Sequence, residues 1–396
     1  MAGISRRADQ LGTENAFVVL AEVNELIRTG RPILSFCIGQ PDFVTPDHIR
    51  EAGIRAIREG KTGYTSSAGI PELREAIARE TAKTRGLDVR PEDVVVGAGA
   101  KPFIGYTILS VTDPGMGHEV VFPVPGFPIY ESQIRANGAI PVPLTLRESR
   151  GYRLDPADLE KAITPRTRLV ILNTPHNPTG AVVDRRTLTD IAAVLRDRED
   201  IWIYADEIYS RLVYDGAFAS ITAEPGMYQR TIIADGASKT WSMTGWRIGW
   251  AVNRSIAPVL TRWVTNFESC AGHMNQFAAL AAITGPQDEA EAMKAEFHAR
   301  RDLVVRLLND SPGVTCPTPG GAFYVWANVD EACRKVGAND SEDLRRMLLH
   351  QANVAVLADH HFGPPTTGEH IRLSYAASRQ AIEDGVGRIA DFIRKH

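Results

Sequence analysis

Lys239 follows Ser238 just past the apolar run TIIAD (231–235), and Arg247 stands eight residues further on. A lysine at the rim of a buried sheet loses hydration, which lowers its pKa and frees a neutral amine able to form a Schiff base. A loop lysine with no chemical duty is the plainer reading. Asp206 closes a second run, IWIYAD, and opens Asp206-Glu207-Ile208-Tyr209. A carboxylate ending a buried strand is costly unless it pairs with a cation. A pyridinium nitrogen is such a cation, and an acid there keeps the ring electron-accepting; a helix N-cap is the alternative. Asn177-Pro178-Thr179-Gly180, after the run RLVILN (168–173), reads as a tight turn. That turn could aim the Asn177 amide at a ring oxygen.

Gly99, Ala100 and Lys101 follow the run DVVVG (93–97). A dinucleotide-binding pattern fails here, because its third glycine would fall on Pro102 and no acid stands at the expected distance. A small-residue loop opening a helix still offers backbone N–H groups suited to one phosphate. Arg372, in IRLSYA (371–376), is either a solvated charge or a two-pronged grip on a carboxylate. Cys37, Cys270, Cys316 and Cys333 are scattered, with no CxxC pair and no metal-ligand spacing, so reduced thiols and no metal site are expected.

Positioning such residues takes strands that end near one another. Apolar runs at 93–97, 118–122, 139–144, 168–173, 201–206, 231–235 and 248–252 are bounded by Gly, Pro, Asp or Asn, as suits strands covered on both faces. Amphipathic helices are expected over 47–59, 71–85 and 184–198. Together they predict a large doubly wound, mostly parallel α/β domain over 46–285, where chemistry gathers at the carboxyl ends of the strands. From 286 to 396 a charged helix (about 287–309), a strand region (317–329), a helix near 341–351 and the strand 371–376 predict a smaller α+β domain. Residues 1–45 read as an arm that completes it.

The charge balance, Lys+Arg 44 against Asp+Glu 48, shows no positive excess for a nucleic acid partner. No apolar run reaches the ~18 residues of a membrane span. No apolar stretch follows the opening Met-Ala-Gly-Ile-Ser-Arg-Arg, so a cytoplasmic location is expected.

The stretches IGQPDF (38–43), GYTSSAGIPELREAIA (63–78), NTPHNPTG (173–180), DEIY (206–209), SKTWSMTGWRIGW (238–250), PGGAFYVW (319–326) and IRLSYA (371–376) together resemble the fold-type I class I/II aminotransferases, aspartate aminotransferases among them. The resemblance runs from about residue 14 to 392. It implies pyridoxal 5'-phosphate as cofactor, an L-amino acid and a 2-oxo acid as substrates, and ping-pong chemistry through a Lys239 Schiff base. Asp206 would pair with the ring nitrogen, Asn177 and Tyr209 would bond the phenolic oxygen, and Arg247, Ser238 and Gly99–Lys101 would hold the phosphate. Phe127 would stack on the ring, while Arg372 and the backbone of Gly39 would bind the substrate carboxylate. Tyr64 would reach the phosphate of a partner subunit, making the unit a homodimer.

Three departures from the family pattern stand out. Phe127 replaces a frequent Trp, between Gly126 and Pro128; Gly236 stands where many relatives carry a phosphate-binding Ser; and the loop 112–120 is two residues longer than usual. Aspartate with 2-oxoglutarate is the default substrate pair by family prevalence, with aromatic, alanine-like or specialised donors open. Another outcome on the same chemistry, such as β-elimination or oxidation, is the alternative reaction. Lys101 is expected near the phosphate rather than at a side chain. His273 and Asn275 are expected to be structural, and Phe17 and Val18 form either an apolar flap or arm packing.

Overall fold

Strands apolar on both faces must be covered on both, so alternating runs and amphipathic helices force a layered arrangement. The computed structural model describes residues 3–396. In chain order the strands are β1 (Leu34–Ser35), β2 (Val94–Gly97), β3 (Glu119–Val124), β4 (Ile140–Thr145), β5 (Thr167–Asn173) and β6 (Trp202–Asp206). They continue as β7 (Thr231–Gly236), β8 (Gly249–Val252), β9 (Tyr324–Asn328), β10 (Val354–Ala355), β11 (Leu357–Ala358) and β12 (His370–Ser374).

One seven-stranded sheet has the order β2-β8-β7-β6-β5-β3-β4. Strands β3 to β7 run parallel, and β8 is antiparallel to both neighbours, β7 and β2. Alternate side chains fill two cores, with Leu169, Tyr204 and Ile232 on one face and Val170 and Ile203 on the other. One expected strand differs. The run 139–144 is not covered on both faces: β4 is the edge of the sheet, and Ile140 is 44% exposed. Its Pro141 and Pro143 lack an N–H for a further neighbour, which confines such a strand to an edge.

The helices keep close to their expected spans. Asp47–Arg58 and Pro71–Arg85 lie where periodicity put them, the second starting on Pro71 and stopping at left-handed Gly86. The helix expected over 184–198 is Arg185–Leu195, with the Asp184 carboxylate accepting from the Thr187 N–H. The charged helix is Asp288–Asn309, and Ser341–Met347 continues as a wider turn, Leu348–Ala352.

A second, antiparallel sheet has the order β11-β12-β9, with Arg372 opposite Trp326. The short pair β1–β10 ties the N-terminal segment to the C-terminal third of the chain. Phe36, Phe297, Phe323 and Leu373 pack into one core around these pieces.

The large sheet also buries charge. Arg85 lies between two buried acids, Nε 3.0 Å from Glu207 and Nη2 2.8 Å from Asp235. Ser220 donates to Glu207 and Ser210 to Asp235. Burial holds both carboxyls above their usual range, and Arg85 draws them back. Replacing Arg85 by Met leaves two buried carboxylates unpaired and should cost about 3–5 kcal/mol near pH 8. Carboxyls raised in the folded state withdraw stability above their folded pKa and cease to do so below their unfolded pKa. The deficit against the native protein should therefore shrink as pH falls toward about 4. Denaturant titrations at several pH values check this, and a deficit that grows on acidification would contradict it.

Candidate active site

Open parallel sheets present their carboxyl ends to one crevice, and here β5, β6 and β7 deliver Asn173, Asp206 and the start of the short helix Ala237–Thr240 to a cavity of about 500 Å³. Lys239 lies on that helix, half-buried, with Nζ donating to the Gly39 carbonyl at 2.6 Å. Loss of hydration brings its ammonium down to about 8; the Glu14 carboxylate opposes that shift, while Arg247, Arg372 and Lys101 add to it.

Asp206 ends β6 and is buried. Burial pushes its carboxyl up to about 6, against a bond from the Tyr130 hydroxyl that favours the charged form. That bond is 2.6 Å long, and Tyr130 itself is wholly enclosed. A turn rather than a helix follows Asp206, which removes the N-cap alternative.

Arg372 reaches the cavity from β12 of the smaller sheet. Its guanidinium donates to the Asn177 side chain at 3.1 Å and to the Cys37 carbonyl, and it lies 4.6 Å and 4.8 Å from the ring centroids of Tyr324 and Phe362. Its Nε is buried without a partner. The solvated-charge reading of Arg372 therefore falls. The Tyr209 and Tyr324 hydroxyls bond each other at 2.8 Å beside it. A Cβ on Gly39 would come within 1.9 Å of the Tyr324 hydroxyl, so that position needs glycine.

Arg247 stands at the other end, in left-handed backbone at φ 53. It donates to the carbonyls of Thr244 and Ala98 at 2.9 and 3.1 Å. A Cβ on Gly99 would lie 2.2 Å from its Nη2, so a bare backbone lets the guanidinium settle against the loop that starts the helix Pro102–Val111. Ser238, Ala100, Lys101 and Phe127 complete this end, while Gly99 stands behind Arg247 rather than on the cavity wall. Tyr64 does not join the cavity of its own chain and is 90% exposed.

The departures have local explanations. A Cβ on Gly236 would lie 3.0 Å from the Gly249 Cα, so a serine would require β8 to give by a few tenths of an ångström. A Cβ on Gly126 would lie 2.1 Å from the Pro123 carbonyl. Nothing in the structure explains the longer 112–120 loop. Asn275 donates to the Trp246 carbonyl, His273 stacks on Phe277, and neither lines the cavity. Phe17 is on the cavity wall, whereas Val18 faces a separate cleft beside Arg345. Away from the cavity, Glu342, His360 and His361 bring ligand atoms within 4.8 Å of one another, but Arg345 and Arg346 already hold Glu342.

Sequence reasoning missed Tyr130, Tyr324 and Glu14. Tyr130 stands three residues after Phe127, at the start of the helix Ile129–Ala136, and its ring meets that phenyl edge-on at 5.7 Å, a neighbour that closeness in sequence could have offered. Glu14 meets Lys101 across 87 positions and left no local signal.

A half-buried amine, a buried acid and two arginines at opposite ends of one crevice define an enzyme of amino-group chemistry. Residues 31–389 match the sequence model for aminotransferase class I and II, and the chain belongs to that family. It is an aminotransferase. Among its relatives, the aspartate/prephenate aminotransferase of Cereibacter sphaeroides is 36% identical, over 99% of each chain. The asparagine–oxo-acid transaminase of Streptococcus mutans is 37% identical over all of both chains. The crystal structure of the aspartate aminotransferase of Rhizobium meliloti superposes with a TM-score of 0.93 at 33% identity, covering 100% of this chain and 99% of that one.

Replacing Tyr130 by Phe removes the donor that favours ionised Asp206, so the carboxyl should rise from about 6 by roughly one unit. Difference infrared titration of the ligand-free protein reads the midpoint directly, and an unmoved midpoint would refute the assignment.

Proposed function

We propose that the chain uses pyridoxal 5'-phosphate, held through Lys239, to move the amino group of an L-amino acid to a 2-oxo acid. The observation that carries this reading is the convergence of the Lys239 amine, the Asp206 carboxylate and the Arg372 guanidinium on one cavity. The residues fit the group. The bare backbone of Gly99 lets Arg247 settle beside a helix start suited to a phosphate, and the unpartnered Arg372 Nε is a donor in reserve for a carboxylate.

When bound, the cofactor supplies an electrophilic aldehyde and a ring that accepts the electron pair left as an amino acid loses its Cα proton. The chain's residues divide the rest. Lys239, brought down to about 8, loses its proton far more readily than an ordinary lysine, and as the free amine it is the base that takes the Cα proton on Nζ. Asp206 sets a negative charge against the ring nitrogen, and Tyr130 holds that carboxylate in place. Asn177 and Tyr209 bond the ring oxygen. Arg247, Ser238, Ala100 and the backbone at Lys101 take the phosphate, and Phe127 stacks on the ring. Arg372 and the Gly39 N–H orient the substrate carboxylate, fixing which Cα bond is broken.

Two copies form the working unit. Tyr64, exposed on its own chain together with Val44, Ile57 and Phe267, reaches the phosphate end of the partner's cavity. Among the described residues no helix is long and apolar enough to cross a membrane, and the cytoplasm is the expected compartment. Kinship alone makes aspartate the default donor and 2-oxoglutarate the acceptor; asparagine enters on the same footing.

A panel of amino donors with 2-oxoglutarate or pyruvate should yield 2-oxo acid only when an acceptor is present. Lys239→Ala should lower turnover by at least about 10³-fold, and borohydride should label Lys239 in the native holoenzyme. A Lys239→Ala protein that turns over at near-native rates would end this reading. Tyr64→Phe, exposed though the residue is, should weaken cofactor retention about tenfold, a hydrogen bond to a charged group; unchanged retention would remove Tyr64 from the partner's site.

A further inference from the structure

Besides Lys239, three cations of this chain line the cavity: Arg372, Arg247 and Lys101. The proposed function commits Arg372 to the substrate carboxylate and Arg247 to the phosphate. A second carboxylate on the substrate would turn to Lys101, whose ammonium stands apart from its backbone at the helix start. That ammonium is taken. Glu14 Oε2 lies 2.6 Å from Lys101 Nζ, and both residues are on the cavity wall. The same ammonium lies 5.3 Å from the Phe127 ring and 5.9 Å from the Phe17 ring, so this end consists of one ion pair and two aromatic faces.

Glu14 is not a passing surface partner. Its side chain is 22% exposed, half as much as that of Lys101. It immediately precedes the helix Asn15–Arg28, whose Val19 and Val23 are buried and whose Glu22 bonds His350 at 3.0 Å. Its charge is felt at Lys239. A dicarboxylate seated here would crowd two carboxylates around one ammonium or push Glu14 away.

We propose that Glu14 is a specificity-determining residue: by holding Lys101 in an ion pair, it makes amino acids with uncharged side chains react ahead of dicarboxylates. The proposal rests on the aminotransferase function above and deepens it by naming the donor class. Aspartate, favoured by kinship, is then a handicapped substrate of this site.

Asparagine and aspartate match in shape and differ by one charge, so their ratio isolates the effect. The holoenzyme is mixed with each donor without acceptor, and the cofactor's absorbance change gives kcat/KM for the half-reaction. The native ratio of asparagine to aspartate should exceed about 10, and Glu14→Gln should lower it at least tenfold, about 1.4 kcal/mol, mainly through the KM of aspartate. Glu14→Ser should move it the same way, and adding Lys101→Met to Glu14→Gln should cancel the gain. A native preference for aspartate, or a ratio that neither Glu14 variant moves, overturns the assignment of Glu14. If no amino acid changes the holoenzyme spectrum, the donor chemistry assigned to the cavity fails instead, and this inference with it.

Discussion

Charge kept out of water at the carboxyl end of a parallel sheet governs this molecule. Asp206, Glu207 and Asp235 lie within or just beyond two adjacent strands, and all are buried. A buried carboxylate survives only where hydrogen bonds or an opposite charge replace its hydration. Arg85 and two serines do this for Glu207 and Asp235; Tyr130 does part of it for Asp206. What remains uncompensated at Asp206 is an open demand for a cation, on the cavity side. The same shortage of water draws the Lys239 ammonium down to about 8. One condition thus prepares both an acid in want of a cation and an amine ready to lose its proton.

The rest of the fold brings two arginines to this spot from opposite directions. Arg247 arrives from the large sheet through left-handed backbone and is received by a glycine. Arg372 comes from the smaller sheet, clamped between the Tyr324 and Phe362 rings, with a hydrogen bond to Asn177 of the larger one. The crevice is therefore closed by contacts between pieces far apart in the chain, Gly39 meeting Lys239 and Glu14 meeting Lys101. Such contacts fix distances between substrate-holding groups, on which orientation in catalysis depends.

Much was legible from residue order. Lys239, Asp206 and Asn177 each follow an apolar run, and a strand end in an open sheet is where chemistry belongs, so local pattern located them. Strand and helix spans came within a few residues for the same reason: burial on both faces and burial on one face leave different periodicities. The edge strand β4 was misjudged, since an apolar run with two prolines looks like a core strand until its neighbours are known. Tyr130, Tyr324 and Glu14 stayed hidden. A tyrosine or glutamate at an arbitrary distance carries no spacing signal, and what it bonds is decided by packing alone.

The sequence by itself determined the class of fold and the groups that end each strand, because those follow from local hydrophobic pattern and a shared motif order. Only the tertiary structure decided what each group experiences. The depressed Lys239, the raised Asp206, the clamped Arg372 and the pairing of Lys101 with Glu14 all arise from desolvation and contacts between segments up to hundreds of residues apart. Electrostatic character depends on distance and burial in space, and neither is written in the order of residues along a chain.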